Sequence, residues 1–189
     1  MPPCRLWCIT ALALVLAACD RNSGEPEAKA SSPSQAPQIA GSFALDRSHS
    51  GSPLPDFTFS DTSGKQLRIA SLKGKPVLIN LWATWCGPCV TEMPTLEQLA
   101  ANNAATIRVV TISQDGDATP VRAYFARYGF RHLEPWLDPE GRIDYHYNTG
   151  KFPTTVYYDA QGREVWRFVG ARDWSDPDTP AMLLEGTLR

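Results

Sequence analysis

The feature that most constrains this chain is the junction Trp82-Ala83-Thr84-Trp85-Cys86-Gly87-Pro88-Cys89. Before it runs Val77-Leu78-Ile79-Asn80-Leu81, apolar, branched and bounded by Lys75-Pro76, which predicts a buried strand. After it, Val90, Met93, Leu96, Leu99 and Ala100 recur at helical spacing. Two cysteines three positions apart therefore sit where a strand gives way to a helix, with Cys86 at the helix N-terminus.

That position has chemical consequences. Unpaired N–H groups and the positive end of the helix dipole favour an anion, so the Cys86 thiol should ionise more readily than an ordinary cysteine. Cys89 lies within disulfide reach one turn on. Gly87 permits a tight turn, and Pro88 suits the first turn of a helix. A zinc site needs four ligands; no second CxxC and no HxxxH is present, and His49, His132 and His146 have no ligand spacing. A purely structural bridge would close too short a loop to gain much. A dithiol–disulfide couple needing neither metal nor cofactor is the best reading.

The N-terminus adds a compartment. After Arg5, Leu6 to Ala18 is an almost unbroken apolar run of 13 residues, too short for a membrane span and suited to a signal peptide. It ends Leu16-Ala17-Ala18-Cys19, which resembles a bacterial lipobox with Cys19 as the lipidated residue. An ordinary signal peptide cut nearby is the alternative. Asp20 in the next position resembles an inner-membrane retention signal. Cys4 and Cys8 would leave with residues 1–18, so Cys86 and Cys89 would be the sole free thiols. Loss of Arg5 takes the formal charge from −2 to −3, which gives no support to nucleic acid as a partner. Residues 19–52, rich in Ser, Pro, Ala and charge without periodicity, read as the lipidated cysteine and a disordered tether averaging roughly 30 Å end to end.

The domain is expected over 53–189. Phe57-Thr58-Phe59 and Gln66-Leu67-Arg68-Ile69 flank a turn at Asp61–Lys65 and predict a hairpin. Strands follow at 77–81, 106–113, 133–137, 154–158 and 164–169, with helices from Val90, at 119–128, 139–147 and 181–188. Strands alternating with helices and closing on a hairpin indicate an α/β sandwich around a central mixed sheet flanked by helices.

Trp-Ala-Thr-Trp-Cys-Gly-Pro-Cys after a buried strand resembles the thioredoxin superfamily. Within it, Cys86-Gly87-Pro88-Cys89-Val90-Thr91-Glu92-Met93-Pro94 resembles the CxPCxxExP pattern of the TlpA/ResA group of membrane-tethered extracytoplasmic thiol–disulfide oxidoreductases. The N-terminal β-hairpin, the strand–helix insertion ahead of Pro153, and Phe152-Pro153-Thr154-Thr155 complete the likeness, which runs from about Leu54 to the C-terminus. The resemblance implies a thioredoxin-like fold and a cis-proline at Pro153 opposite the cysteines, where main-chain groups of Phe152 pair with an extended substrate. It implies that Glu92 manages protons for the pair. Thioredoxin uses a buried aspartate in the preceding strand, where this chain has Asn80, which cannot take a proton from Cys89. Trp85, Gly87 and Pro88 complete the expected partner-binding surface.

The resemblance also implies disulfide-containing client proteins, a membrane electron donor of the DsbD or CcdA type, and attachment to the periplasmic face of the inner membrane through a lipid anchor. The Gly-Pro dipeptide goes with reducing potentials, so a reductase is expected, with cytochrome c maturation or copper-site cysteines as clients. A copper chaperone using Cys86, Cys89 and Met93, and a thiol peroxidase, are the alternative readings.

Overall fold

A computed structural model describes residues 45–187. The hairpin is β1 (Thr58–Asp61) and β2 (Gln66–Arg68), followed by a short 3-10 turn, β3 (Val77–Trp82) and α1 (Gly87–Asn102). Next come β4 (Arg108–Ser113), α2 (Ala118–Tyr128), β5 (Trp136–Leu137), α3 (Arg142–Tyr147), β6 (Thr154–Tyr158), β7 (Glu164–Val169) and α4 (Thr179–Thr187). One mixed sheet runs in the order β2-β1-β5-β4-β3-β6-β7, with β3 parallel to β4 and antiparallel to β6. This is the thioredoxin-like sandwich the sequence leads one to expect.

Every residue of β3 is buried, as its unbroken apolar run requires. Its alternation distributes side chains between two cores. Val77, Ile79 and Leu81 join Val110, Ile112, Ile143 and Tyr158; Leu78 and Trp82 join Met93, Leu96, Trp166 and Trp174. Asn80 shares the parity of Leu78 and Trp82, so the one polar residue of the strand points toward α1.

Pro94 lies inside α1, which continues past it. A proline has no N–H for the carbonyl four residues back. Here that carbonyl, of Val90, accepts instead from the Tyr124 hydroxyl of α2 at 3.0 Å. The carbonyl that the proline leaves without a helical donor thus ties two helices together.

Several expected boundaries move. β4 starts at Arg108 because the N–H groups of Thr106 and Ile107 turn back to the Asn103 carbonyl. α3 starts at Arg142, behind a left-handed Gly141 and with the Ile143 N–H capped by Asp138 at 2.9 Å. α4 starts at Thr179 with Pro180 in its first turn, where a missing N–H is harmless.

The ordered domain also begins before residue 53. Asp46 and Arg167 exchange main-chain hydrogen bonds of 2.9 and 2.8 Å, Gly51 and Ser52 pair with Glu164, and Arg47 meets Glu185 of α4. Residues 46–52 thus line the outer edge of β7. This pairing uses backbone alone and leaves no side-chain periodicity to read. The expected signal segment, residues 1–18, and the expected lipidated Cys19 and tether up to residue 44 lie outside the described residues. No helix among the described residues is long and apolar enough to cross a membrane.

Candidate functional site

Cys86 is the N-cap of α1, and its sulfur accepts the Cys89 N–H at 3.3 Å. The sulfur therefore occupies the place where a helix N-terminus offers unpaired donors and positive potential. Cys86 and Cys89 are joined by a disulfide, with Cα atoms 5.3 Å apart. Cys86 retains 7% exposure and Cys89 none. The outer sulfur is the one a partner can reach; the inner one is reached only through it.

Trp85 is 65% exposed, and its ring meets Phe152 edge-on at 5.8 Å. The Phe152–Pro153 peptide is cis. Pairing of Leu81 with Thr154 across β3 and β6 brings this peptide alongside the end of β3, next to the cysteine loop. The Pro153 carbonyl accepts the Gly170 N–H at 2.9 Å. Gly87 and Pro88 are exposed at the start of α1, beside Trp85. Trp82, Trp136, Trp166 and Trp174 are core residues, as is Met93.

One turn past Cys89 on α1, Glu92 is 3% exposed. One carboxylate oxygen accepts from Asn80 Nδ2 at 2.7 Å, the other from the Arg172 main-chain N–H at 3.0 Å. Burial raises its pKa to about 7, and these two neutral donors only partly offset the cost of a buried charge. The Trp174 indole lies near enough to favour the charged form, though its N–H falls short of hydrogen-bond geometry. Glu92 lies in the second turn of α1, past the first-turn positions where the dipole acts most strongly, so burial dominates. Asn80 also donates to Thr155 at 3.0 Å, while its carbonyl oxygen has no hydrogen-bond partner. A turned amide there can accept from the protonated acid. A surface cavity of about 240 Å³, lined by Pro88, Thr91, Glu92, Thr95, Ala171 and Arg172 among others, lies beside the acid.

Two supports were not read from the sequence. Buried Asp115, just past β4, accepts from the Thr84 N–H at 2.9 Å, the Thr84 hydroxyl at 2.6 Å and Ser113 at 2.6 Å, and so pins the loop that carries Trp85 and Cys86. A Ser-x-Asp at a strand end was the available signal. Arg172 has none: it meets Glu92 from 80 positions away.

The Redoxin family model matches residues 49–183. The chain is 36% identical over 115 residues to the thioredoxin-like protein YneN of Bacillus subtilis, covering 59% of this chain and 66% of YneN. It is 30% identical over 121 residues to the thiol-disulfide oxidoreductase ResA of Bacillus thuringiensis, covering 64% of this chain and 69% of ResA. It thus spans about two thirds of the length of these relatives. Among solved structures, a secreted Mycobacterium tuberculosis disulfide oxidoreductase homologous to E. coli DsbE superposes with a TM-score of 0.57 at 28% identity, covering 71% of this chain and 96% of that one. Fold, cysteine pair and sequence agree: the chain belongs to the redoxin family and, within the thioredoxin superfamily, to the TlpA/ResA-like thiol–disulfide oxidoreductases.

Proposed function

We propose that the protein is an extracytoplasmic disulfide reductase that works through Cys86 and Cys89, with Glu92 as proton acceptor. The observation that carries this reading is a buried carboxylate without a cation, one turn beyond the inner cysteine, holding its proton up to about pH 7.

In the dithiol form the Cys86 thiolate, favoured by the α1 N-terminus, attacks a client disulfide. One client sulfur leaves with the electron pair of the broken bond and takes a proton; the other is bonded to Cys86. Glu92 then takes the proton of Cys89, whose thiolate attacks Cys86 and forms the intramolecular disulfide. The second client sulfur leaves and receives that proton. The client has gained two electrons and two protons, and the protein is left oxidised. Exposed Trp85, Gly87 and Pro88, together with Phe152 and the cis Pro153, form the surface on which an extended client segment lies.

A membrane donor of the DsbD or CcdA type returns the electrons, and Cys19 carries the lipid that keeps the domain at the periplasmic face of the inner membrane. The Gly-Pro dipeptide supports the reducing direction, and cytochrome c haem-site cysteines or copper-site cysteines are the client class. Trapping tests this directly. Cys89→Ala, expressed in the full chain, should accumulate mixed disulfides through Cys86 with proteins of that class and with the donor. A potential for the wild-type couple above about −200 mV would overturn the reducing direction.

A further inference from the structure

We infer that Arg172 is a positioning residue for the redox site: its guanidinium, gripped by the start of α4, holds its own main-chain N–H on the Glu92 carboxylate. The inference rests on the reading of Glu92 as proton acceptor for Cys89 and extends it to a segment far from the cysteines in sequence.

Any residue at position 172 carries an N–H, so the donor alone does not explain an arginine. The side chain is wholly buried and pairs with Asp178, with Asp176 at 3.8 Å and with the Thr179 hydroxyl at 3.1 Å. Its guanidinium also lies 5.7 Å from the centre of the Trp174 ring. All of these polar contacts are made by Nη2, and taking a guanidinium out of water costs several kcal/mol before such partners offset it. The grip on this one terminal nitrogen pins one end of the 170–178 segment. The other end is pinned where Gly170, at φ +120°, donates to Pro153. Between these points the segment makes two contacts with one face of α1: Arg172 N–H to Glu92, and Trp174 N–H to Thr95 at 3.1 Å. Loosening this grip frees the backbone that supplies one of the two donors within hydrogen-bond distance of the Glu92 carboxylate.

The groups around Glu92 make the consequence readable. Its own helix offers Cys86 and Cys89, β3 and β6 offer the uncharged Asn80 and Thr155, and the 170–178 segment offers Arg172 and Asp173, the latter across the cavity. The Arg172 guanidinium is committed to α4 and its approach. The N–H donor favours ionised Glu92; without it the acid should hold its proton to higher pH. A hydrogen bond to a charged group corresponds to a shift of about one pH unit.

The test follows Glu92 by its side-chain carboxyl NMR resonance in the disulfide form, and the pH profile of client-disulfide reduction in the dithiol form. Arg172→Met removes the guanidinium and keeps the stem. Asp178→Asn weakens the grip from a half-exposed position and decides the matter alone if the first variant does not fold. Both should raise the Glu92 midpoint by about one pH unit and move the rising limb of the rate profile with it. In a Glu92→Gln background, where this limb is lost, neither should change the profile further. An unmoved Glu92 midpoint in the folded variants, with Glu92→Gln still abolishing the limb, would overturn the inference and leave Glu92 its role. A limb that survives Glu92→Gln would remove the role of Glu92 and this inference with it.

Discussion

Glu92 and Glu164 are the same side chain at nearly the same burial, 3% and 1% exposed, in opposite electrostatic company. Glu164 of β7 faces a cation: Arg167 donates through Nε at 2.5 Å and Nη2 at 3.0 Å, one to each carboxylate oxygen. The remaining guanidinium nitrogen donates to the Tyr147 carbonyl at 2.9 Å, and the group lies 5.0 Å from the Tyr147 ring centre. Glu92 of α1 faces an amide and a main-chain N–H. A buried carboxylate matched to a guanidinium ties elements together; one given neutral donors alone is poised to exchange its proton near neutrality. Burial by itself does not separate scaffold from chemistry. The counter-charge does.

The strongest way to break this contrast is to neutralise the scaffold glutamate. Glu164→Gln leaves Arg167 buried without a counter-charge and should cost about 4 kcal/mol of stability in urea denaturation of the disulfide form. Disulfide reduction per folded molecule should stay at the wild-type rate. A fall in that rate with the fold intact would mean that the β7 pair also serves the site.

Neutralising Glu92 should act with the opposite sign. Its pKa rises from 4.5 to about 7 in the folded protein, so the native state binds this proton more tightly than the unfolded chain. The resulting stability is whole below pH 4.5 and is lost as pH climbs to about 7, amounting to about 3 kcal/mol across that window. Glu92→Gln has no such proton to lose, and its amide offers an acceptor to the Arg172 N–H and a donor to the unpartnered Asn80 carbonyl. Urea midpoints of the disulfide forms should therefore favour the variant above pH 7 and converge as the solution becomes acidic. A variant less stable than wild type at every pH would show that Glu92 is held by interactions of the Glu164 kind.

How far the sequence disclosed this contrast depends on the distance over which each part is assembled. The strand, the cysteine pair and the helix are contiguous, so the period of Val77–Leu81 and the spacing from Val90 to Ala100 suffice to place Cys86 at a helix start. Asn80 in an apolar strand signals a polar partner, since a lone buried amide is costly. Phe152-Pro153 is legible because an X-Pro bond is where a cis peptide is found. The Arg172 N–H is not legible in this way, because a main-chain donor carries no residue signature; the Asp115 brace shows in sequence only as a Ser-x-Asp, and its hold on Thr84 is set by how β4 ends. The pairing of residues 46–52 along β7 hides for the same reason. Pro94 reads locally as a helix breaker; only the placement of α2 shows Tyr124 covering the carbonyl it leaves behind.

The smallest effect separates geometry from environment. Arg47 and Glu185 form the same two-pronged contact as Arg167 and Glu164, Nε to one oxygen at 3.1 Å and Nη2 to the other at 2.6 Å, but at the surface, where water solvates both partners. If the fork itself did the stabilising, the two pairs would be equivalent. If the missing solvent makes the buried pair indispensable, the exposed one should contribute little. A double-mutant cycle of Arg47→Ala and Glu185→Ala should give a coupling of about 0.5 kcal/mol that shrinks as salt is added. A coupling several times larger and insensitive to salt would mean that residues 46–52 are clamped onto α4 as firmly as α3 is onto β7.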